Sequence, residues 1–172
     1  MNNTRYNNIH VAERSMTWSI KTVVTLIVCI AIPFVVGAIA SLLTRDGMIS
    51  FNFMNKPPLS PPAWLFPVAW SILYILMGIA SFFIVISSHE SSATGLVLYI
   101  VQLAFNFVWS LIFFRFEAYT FSAIWLAMLI ALIVALIINT SEYSRPAMYM
   151  LIPYAAWCCF AMYLNIGIAI MN

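Results

Sequence analysis

Charged side chains are scarce in this sequence. Seven Lys or Arg and five Asp or Glu residues make up only 7% of the 172 residues, whereas about 25% is usual in soluble domains. The few cations stand alone, without the basic runs that favour nucleic-acid binding, so we exclude nucleic acid as a partner. Hydrophobic residues form 65% of the chain, and the mean hydropathy is +1.02. These values indicate an integral membrane protein.

Metal-binding and conventional catalytic patterns are missing as well. Cys29, Cys158 and Cys159 lie in apolar runs without CxxC spacing or partner histidines, so we expect small buried side chains. His10 and His89 stand in polar segments without ligand spacing, and we expect both to be solvated. The sequence has no Gly-rich phosphate loop and no nucleophile elbow. It therefore predicts neither a metal nor another cofactor.

Five apolar runs are long enough to form membrane-spanning helices. They cover approximately residues 22–43, 62–87, 95–114, 119–138 and 147–171. The first run alone would form about 33 Å of helix, against a hydrocarbon core of about 30 Å. A cleaved signal peptide is the alternative for this run, although its apolar region would usually have only about 7–15 residues. All five runs are too long and continuous for the strands of a membrane barrel.

We therefore predict an all-α integral membrane bundle of five transmembrane helices. A polar tail at residues 1–19 precedes a single transmembrane domain at residues 20–172. No charged side chain interrupts the middle of any run. Because ion-coupled and proton-coupled transport normally requires ionisable groups inside the membrane, the sequence does not favour a pump or a coupled transporter.

Aromatic and amide side chains form a stripe on each of three runs, at spacings of three and four residues. The stripes are Phe66, Trp70, Tyr74 and Met77; Gln102, Asn106, Trp109 and Phe113; and Tyr154, Trp157, Ala161 and Asn165. If they face inward, they would line an aromatic cavity with a few donors and acceptors, which suits a flat and largely apolar ligand. The alternative is that these residues only pack helices together or lie at the membrane interface.

A Pro-rich segment precedes the second run. "NKPPLSPPAWLFPVAW", residues 55–70, holds five of the eight prolines of the chain. Ser60 followed by Pro61 and Pro62 predicts a helix start, with the hydroxyl as its cap. Proline restricts the backbone and removes donors, so this loop is suited to form a stiff rim over a membrane-embedded pocket. The alternative is a rigid helix start anchored at the interface by Trp64.

The same segment resembles a known family. "NKPPLSPPAWLFPVAWSILYILMGIAS" is similar to the signature of the translocator proteins, also called tryptophan-rich sensory proteins or peripheral benzodiazepine receptors. "YIVQLAFNFVWSLIFF" resembles the third helix of that family, and "LIPYAAWCCFAMYLN" resembles its fifth. The match covers all five runs in order, and the motifs together are more specific than any one of them.

The resemblance implies a five-helix bundle in a bacterial cell membrane, commonly dimeric, with a pocket that opens toward the loop between the first two membrane helices. By motif position, Trp70, Trp157, Asn106 and Ala161 match pocket positions of the family. Tyr74, Trp109 and Tyr154 join them as candidates because they share the same stripes. The family often has Trp-Tyr before its Lys-Pro, where this chain has Ser50-Phe51, and we include Phe51 as a candidate at the rim.

The resemblance also implies binding of tetrapyrroles such as protoporphyrin, of other flat hydrophobic ligands and, in animal members, of sterols. The family's sterol motif is missing here, because no Arg or Lys follows Leu164. The leading hypothesis is a membrane-embedded binding and sensory protein for porphyrin-like ligands. The alternatives are a light-dependent enzyme that degrades protoporphyrin, with Trp70 and Trp157 implicated by the resemblance, and a passive transporter of tetrapyrroles or lipids.

Overall fold

The computed structural model describes residues 19–172. Its helices are α1 (Ile20–Leu43), α2 (Arg45–Phe51), α3 (Leu65–Val85), α4 (Ser92–Ser110), α5 (Tyr119–Ser141) and α6 (Arg145–Met171), and a π-helical turn (Leu111–Arg115) continues α4. Among the described residues, five helices are long and apolar enough to cross a membrane: α1, α3, α4 with its π turn, α5 and α6. The predicted fold class is confirmed. The predicted polar tail, with His10, lies outside the described residues except for Ser19.

The five long helices form one bundle. Helix α6 packs between α5 and α3, α5 also packs against α4, and α1 packs against α3 and α4. Leu129, Ile133 and Leu136 of α5 are fully buried in the centre. The outer surface of the bundle is also apolar, with Ile100, Ile124 and other large side chains exposed. Because soluble monomers rarely expose apolar surface on this scale, the outer face of this integral membrane protein contacts lipid.

A short helix occupies the first part of the connection between the first two membrane spans. The position of residues 44–60 between two apolar runs predicts a loop, whereas residues 45–51 form α2. Helix α2 lies on the π turn, and Gly47 makes the closest approach, because a side chain there would collide with the backbone carbonyl of Phe114. An exposed ion pair joins Asp46 to Arg115 at 3.8 Å. The lack of a side chain at Gly47 thus allows α2 to dock closely.

The predicted start of the second membrane helix at Ser60 is wrong. Helix α3 begins at Leu65, and the Ser60 hydroxyl donates to the carbonyl of Pro57 at 2.7 Å. Leu59 has a positive φ of 66°, so the chain turns at this point and Ser60 closes that turn. The first turn of α3 forms after Pro61 and Pro62 and includes Pro67, and the Leu65 amide donates to the Pro62 carbonyl just before it.

Candidate ligand-binding site

The three aromatic stripes meet at Trp70 of α3. Its ring centroid lies 6.5 Å from that of Trp109 on α4 and 6.4 Å from that of Tyr154 on α6. On its own helix, Trp70 also contacts Tyr74 at 5.6 Å. Residues spaced by three or four share one side of a helix, so contact between these helices joins the stripes into a single aromatic cluster.

Trp157 and Phe51 extend the cluster toward α2. The Trp157 ring lies 6.2 Å from Phe66 of α3. Phe51, the last residue of α2, is buried and lies 5.6 Å from Phe66 and 5.8 Å from Phe114 of the π turn. The ammonium of Lys56 stands 4.6 Å from the centre of the Phe51 ring, in a cation–π contact. Helix α2 and the residues after it therefore cover this end of the cluster.

One hydrogen bond links polar groups of two helices within the cluster. The Asn106 side-chain amide donates to the Tyr154 hydroxyl at 3.2 Å, and both residues are buried. Buried polar groups need such partners, because leaving one unpaired in an apolar interior costs about 1–3 kcal/mol. This bond pairs the Asn106 amide nitrogen with the Tyr154 hydroxyl oxygen, and the ring of Tyr154 lies 6.4 Å from that of Trp70.

Asn165 of α6 holds a second polar network together. Its Oδ1 accepts from Trp109 Nε1 at 3.2 Å and from the Ser122 hydroxyl at 2.9 Å, and its Nδ2 donates to the Tyr119 carbonyl at 2.8 Å. The stripe pattern identified Asn165 and Trp109. Sequence reasoning missed Ser122 and Tyr119, because their run is almost entirely apolar and shows no stripe; the single signal was a serine near its start.

Gln102 has no such network. It lies one helical turn before Asn106 on α4 and is 0% exposed, yet its amide nitrogen and its carbonyl oxygen make no hydrogen bond. The hydroxyls of Tyr99 and Tyr119 are also buried without a hydrogen bond of ordinary length, although Ser81 lies near Tyr99. Gln102 belonged to a predicted stripe but was not among the candidate site residues.

Two remaining candidates lie at the sides of the cluster. Tyr74 reaches α1, where its ring lies 5.7 Å from Phe34 and covers Gly37 so closely that any side chain there would collide with it. Ala161 is half-buried on α6 and packs against the same hydrophobic core. The structure therefore brings the candidates of all three stripes and Phe51 to one region.

The Pro-rich loop, residues 52–64, is attached to the end of α6. The Asn55 amide donates to Oδ1 of Asn172 at 3.1 Å, and the Asn172 side chain donates back to the Asn55 carbonyl at 3.0 Å. The Tyr163 hydroxyl donates to the Pro58 carbonyl at 2.6 Å. A side chain at Gly167 would meet the Pro57 ring at 2.5 Å. These four points fix the loop on α6, the helix that also carries Trp157.

Two cavities lie away from the aromatic candidates. The first has a volume of about 510 Å³, is apolar and lies between α1, α3 and α4. Its lining residues are Cys29, Ile32, Val36, Ile39, Ser81, Val85, Leu96, Tyr99, Ile100, Leu103, Ala104 and Phe107. The second, of about 450 Å³, surrounds the ion pair of Asp46 and Arg115. Within the cluster the rings contact one another directly, so a ligand there would have to displace side chains.

The cysteines and histidine agree only in part with expectation. Cys29 and Cys158 are buried as predicted, but Cys159 is exposed. The prediction for Cys159 is wrong because consecutive helical residues point about 100° apart, so the neighbour of an inward Cys158 faces lipid. His89 is exposed as predicted. Within residues 19–172, no three His, Cys, Asp or Glu side chains are grouped to hold a metal ion.

An aromatic pair lies at the opposite end of the bundle from α2. The His89 ring stacks on Tyr143 at 5.4 Å, and the Tyr143 hydroxyl donates to Oδ1 of Asn139 at 3.1 Å. Partial burial, followed by the charge of neighbouring Glu142, raises the pKa of Tyr143. Tyr143 is therefore a neutral hydrogen-bond donor at physiological pH, and it belongs to the connection between α5 and α6.

Over residues 19–172, fold and site together define an integral membrane protein with five spanning helices, an aromatic, amide-containing centre and no charged side chain in the middle of these spans. The chain belongs to the TspO/MBR family, whose sequence profile matches residues 29–171. It is 33% identical over 155 residues to the tryptophan-rich protein TspO of Chlorobaculum tepidum, covering 88% of this chain and 98% of the relative.

Further relatives come from other organisms. The tryptophan-rich sensory protein of Cereibacter sphaeroides is 32% identical over 152 residues, which cover 88% of this chain and 90% of the relative. The translocator protein of Bos taurus is 30% identical over 138 residues, which cover 78% of this chain and 82% of the relative. The predicted family membership is confirmed.

Proposed function

We propose that this protein is a membrane-embedded binding and sensory protein for porphyrin-like tetrapyrroles and other flat hydrophobic ligands. The observation that carries this proposal is the meeting of Trp70, Trp109 and Tyr154, from three different helices, in one cluster. The printed name of the Cereibacter sphaeroides relative, a tryptophan-rich sensory protein, agrees with a sensory role.

The chemistry of the cluster suits a flat apolar ligand. Small-molecule sites are mostly apolar and aromatic, with a few placed polar groups, and aromatic pairs add about 0.5–1.5 kcal/mol beyond simple burial. Asn106 and Tyr154 supply a donor and an acceptor that a ligand can reach if their mutual hydrogen bond opens. Lys56, over Phe51 at the rim, supplies a positive charge for acidic substituents that stay near the membrane surface.

Binding requires the α2 end of the cluster to open. The Phe51 ring contacts Phe66, and Phe66 contacts Trp157, so withdrawal of Phe51 would expose the faces of the inner rings. Helix α2 is short, with seven residues, and it is joined to α3 by the Pro-rich loop. We therefore assign α2 the role of a cover that moves when a ligand binds, while the loop stays fixed on α6.

Titration with protoporphyrin tests the proposal. Protein reconstituted in lipid nanodiscs should show saturable quenching of tryptophan fluorescence, and Trp70→Phe and Trp157→Phe should weaken binding several-fold. Trp64→Phe is the matched control, because Trp64 is 65% exposed and lies outside the cluster. The proposal fails if quenching does not saturate, or if Trp64→Phe weakens binding as much as the cluster variants.

A homodimer is part of the same proposal, and the family resemblance supports it. Cross-linking in native membranes followed by mass measurement should give a species of twice the chain mass of 19.4 kDa. A single species at the chain mass would contradict a stable dimer.

Light-dependent degradation of protoporphyrin is a second candidate function. The favouring observation is that Trp70 and Trp109 lie in contact and that Trp157 contacts Phe66 of the same cluster, so an excited macrocycle bound at this cluster would be close to several indoles. Illumination of the complex with and without oxygen, followed at the Soret band, tests it. If the protein degrades protoporphyrin, the Soret band should be lost faster in the complex than in free protoporphyrin. Trp157→Phe should slow this loss in the complex.

A further inference from the structure

Gln102 is a buried carboxamide that the fold does not use. Its side chain is 0% exposed, and neither its nitrogen nor its oxygen has a hydrogen-bond partner among the described residues. Two other amides of the same region are engaged, Asn106 with Tyr154 and Asn165 with three groups. An unpaired buried amide costs stability. The unpaired Gln102 amide therefore lowers the stability of the protein at the proposed ligand site unless a ligand pairs with it.

The position of Gln102 is at the inner end of the proposed site. It precedes Asn106 by four residues and Trp109 by seven, so all three side chains lie on one face of α4. Gln102 lies ten positions after the start of α4 at Ser92, and this corresponds to roughly 15 Å along the helix, or half the hydrocarbon thickness. A ligand that enters from the α2 end and passes Trp109 and Asn106 would reach Gln102 last.

We infer that Gln102 is a specificity residue of this site, and that it recognises a lactam or carboxamide edge on the inner end of the ligand. The inference rests on the proposed function. A primary amide offers an N–H and a C=O side by side, and a lactam or carboxamide offers the complementary pair, so two parallel hydrogen bonds can form. A carboxylate is a poor match, since it accepts only and its charge is expensive at the centre of a bilayer.

A pair of flat tricyclic probes tests the inference. Phenanthridinone carries a lactam N–H beside its carbonyl, whereas N-methylphenanthridinone has the same rings without the donor. Fluorescence titration in nanodiscs should show that the wild-type protein binds phenanthridinone about tenfold more tightly than its methyl derivative, as expected for the loss of one buried hydrogen bond. Gln102→Met should bind the two probes with equal affinity.

Three further variants separate recognition from packing. In Gln102→Glu the new carboxyl group is protonated at this depth in the membrane, so it keeps one donor and one acceptor. This variant should retain the preference for phenanthridinone over its methyl derivative. Leu103→Met makes a similar change in volume on the neighbouring residue, which lines the cavity between α1, α3 and α4, and should also retain it. Gln102→Leu repeats the measurement if Gln102→Met does not fold. Removing an unpaired amide should leave the melting temperature unchanged or raise it by about 2–4 °C.

The outcomes distinguish the two proposals. If the wild-type protein shows no preference, or if Gln102→Met keeps it, the inference is overturned, because steric bulk of the methyl group would then explain the difference. A lower melting temperature of Gln102→Met with an unchanged preference assigns the amide to structure, for example through a trapped water. If protoporphyrin binds saturably but neither lactam does, the inference fails and the proposed function stands. If no probe binds, the proposed function itself fails.

Discussion

The amide of Asn106 and the hydroxyl of Tyr154 are joined by a hydrogen bond of 3.2 Å between α4 and α6, beside the ring of Trp70. Because this bond is buried and crosses between helices, it contributes to both stability and site geometry. Tyr154→Phe should lower the free energy of unfolding in detergent by about 1–3 kcal/mol, since Asn106 loses its partner. Tyr149→Phe is the control, because Tyr149 is 58% exposed on the same helix. Equal stability of the two variants would contradict an important role for this bond.

Replacement of Asn165 should lower the free energy of unfolding more than loss of the bond between Asn106 and Tyr154. Asn165→Leu removes three hydrogen bonds at once and leaves Trp109 Nε1 without its acceptor, whereas the Ser122 hydroxyl keeps the Tyr119 carbonyl at 2.7 Å. We expect a loss of about 3 kcal/mol or more in the free energy of unfolding. The exposed Asn52, at the end of α2, provides the control variant Asn52→Leu. A loss below about 1 kcal/mol for Asn165→Leu would show that the network contributes little.

The docking of α2 should depend on backbone fit and not on charge. Gly47→Ala introduces a side chain against the Phe114 carbonyl, and we expect a loss of about 1–3 kcal/mol through overpacking. Arg115→Ala removes an ion pair whose side chains are 57% and 87% exposed, and such pairs contribute about 0–1 kcal/mol. Hydrogen exchange over residues 45–51 should rise in Gly47→Ala and change little in Arg115→Ala. The reverse order would identify the ion pair as the main attachment.

The attachment of the Pro-rich loop to α6 should respond to a single methyl group. Gly→Ala usually stabilises a helix by about 0.5–1 kcal/mol, but at Gly167 the new side chain would meet Pro57. We therefore expect Gly167→Ala to be destabilising by about 1–3 kcal/mol, with faster proteolysis of residues 52–60. Tyr163→Phe, which loses the hydrogen bond to Pro58, should produce a smaller effect in the same direction. If the Gly167→Ala variant is as stable as the wild-type protein, the close contact between Gly167 and Pro57 is contradicted.

The sequence predicted the membrane helices and the convergence of aromatic residues well, because both follow from simple periodicity. Long uncharged runs define spans, and spacings of three and four define one face of a helix. Trp70, Trp109 and Tyr154 could therefore be placed on inward stripes, and they lie in contact. Their role in ligand binding stays a prediction.

Other features depend on contacts between distant segments, which periodicity does not encode. The seven residues of α2 contain a glycine and little apolar periodicity, and the helix depends on contact with the π turn. The failure of Ser60 as a cap arises from the left-handed backbone at Leu59, which no local signal requires. The bond from Tyr163 to the Pro58 carbonyl joins residues 105 positions apart.

The π turn at the end of α4 determines which rings face Phe51. Successive residues of an α-helix point about 100° apart, so adjacent phenylalanines would normally diverge. In the wider π turn, Phe113 and Phe114 lie 6.2 and 5.8 Å from the Phe51 ring. This segment is therefore sensitive to chain length as well as to side-chain identity: deleting one residue from Leu111–Arg115 would restore ordinary winding and rotate part of the aromatic rim out toward the lipid tails.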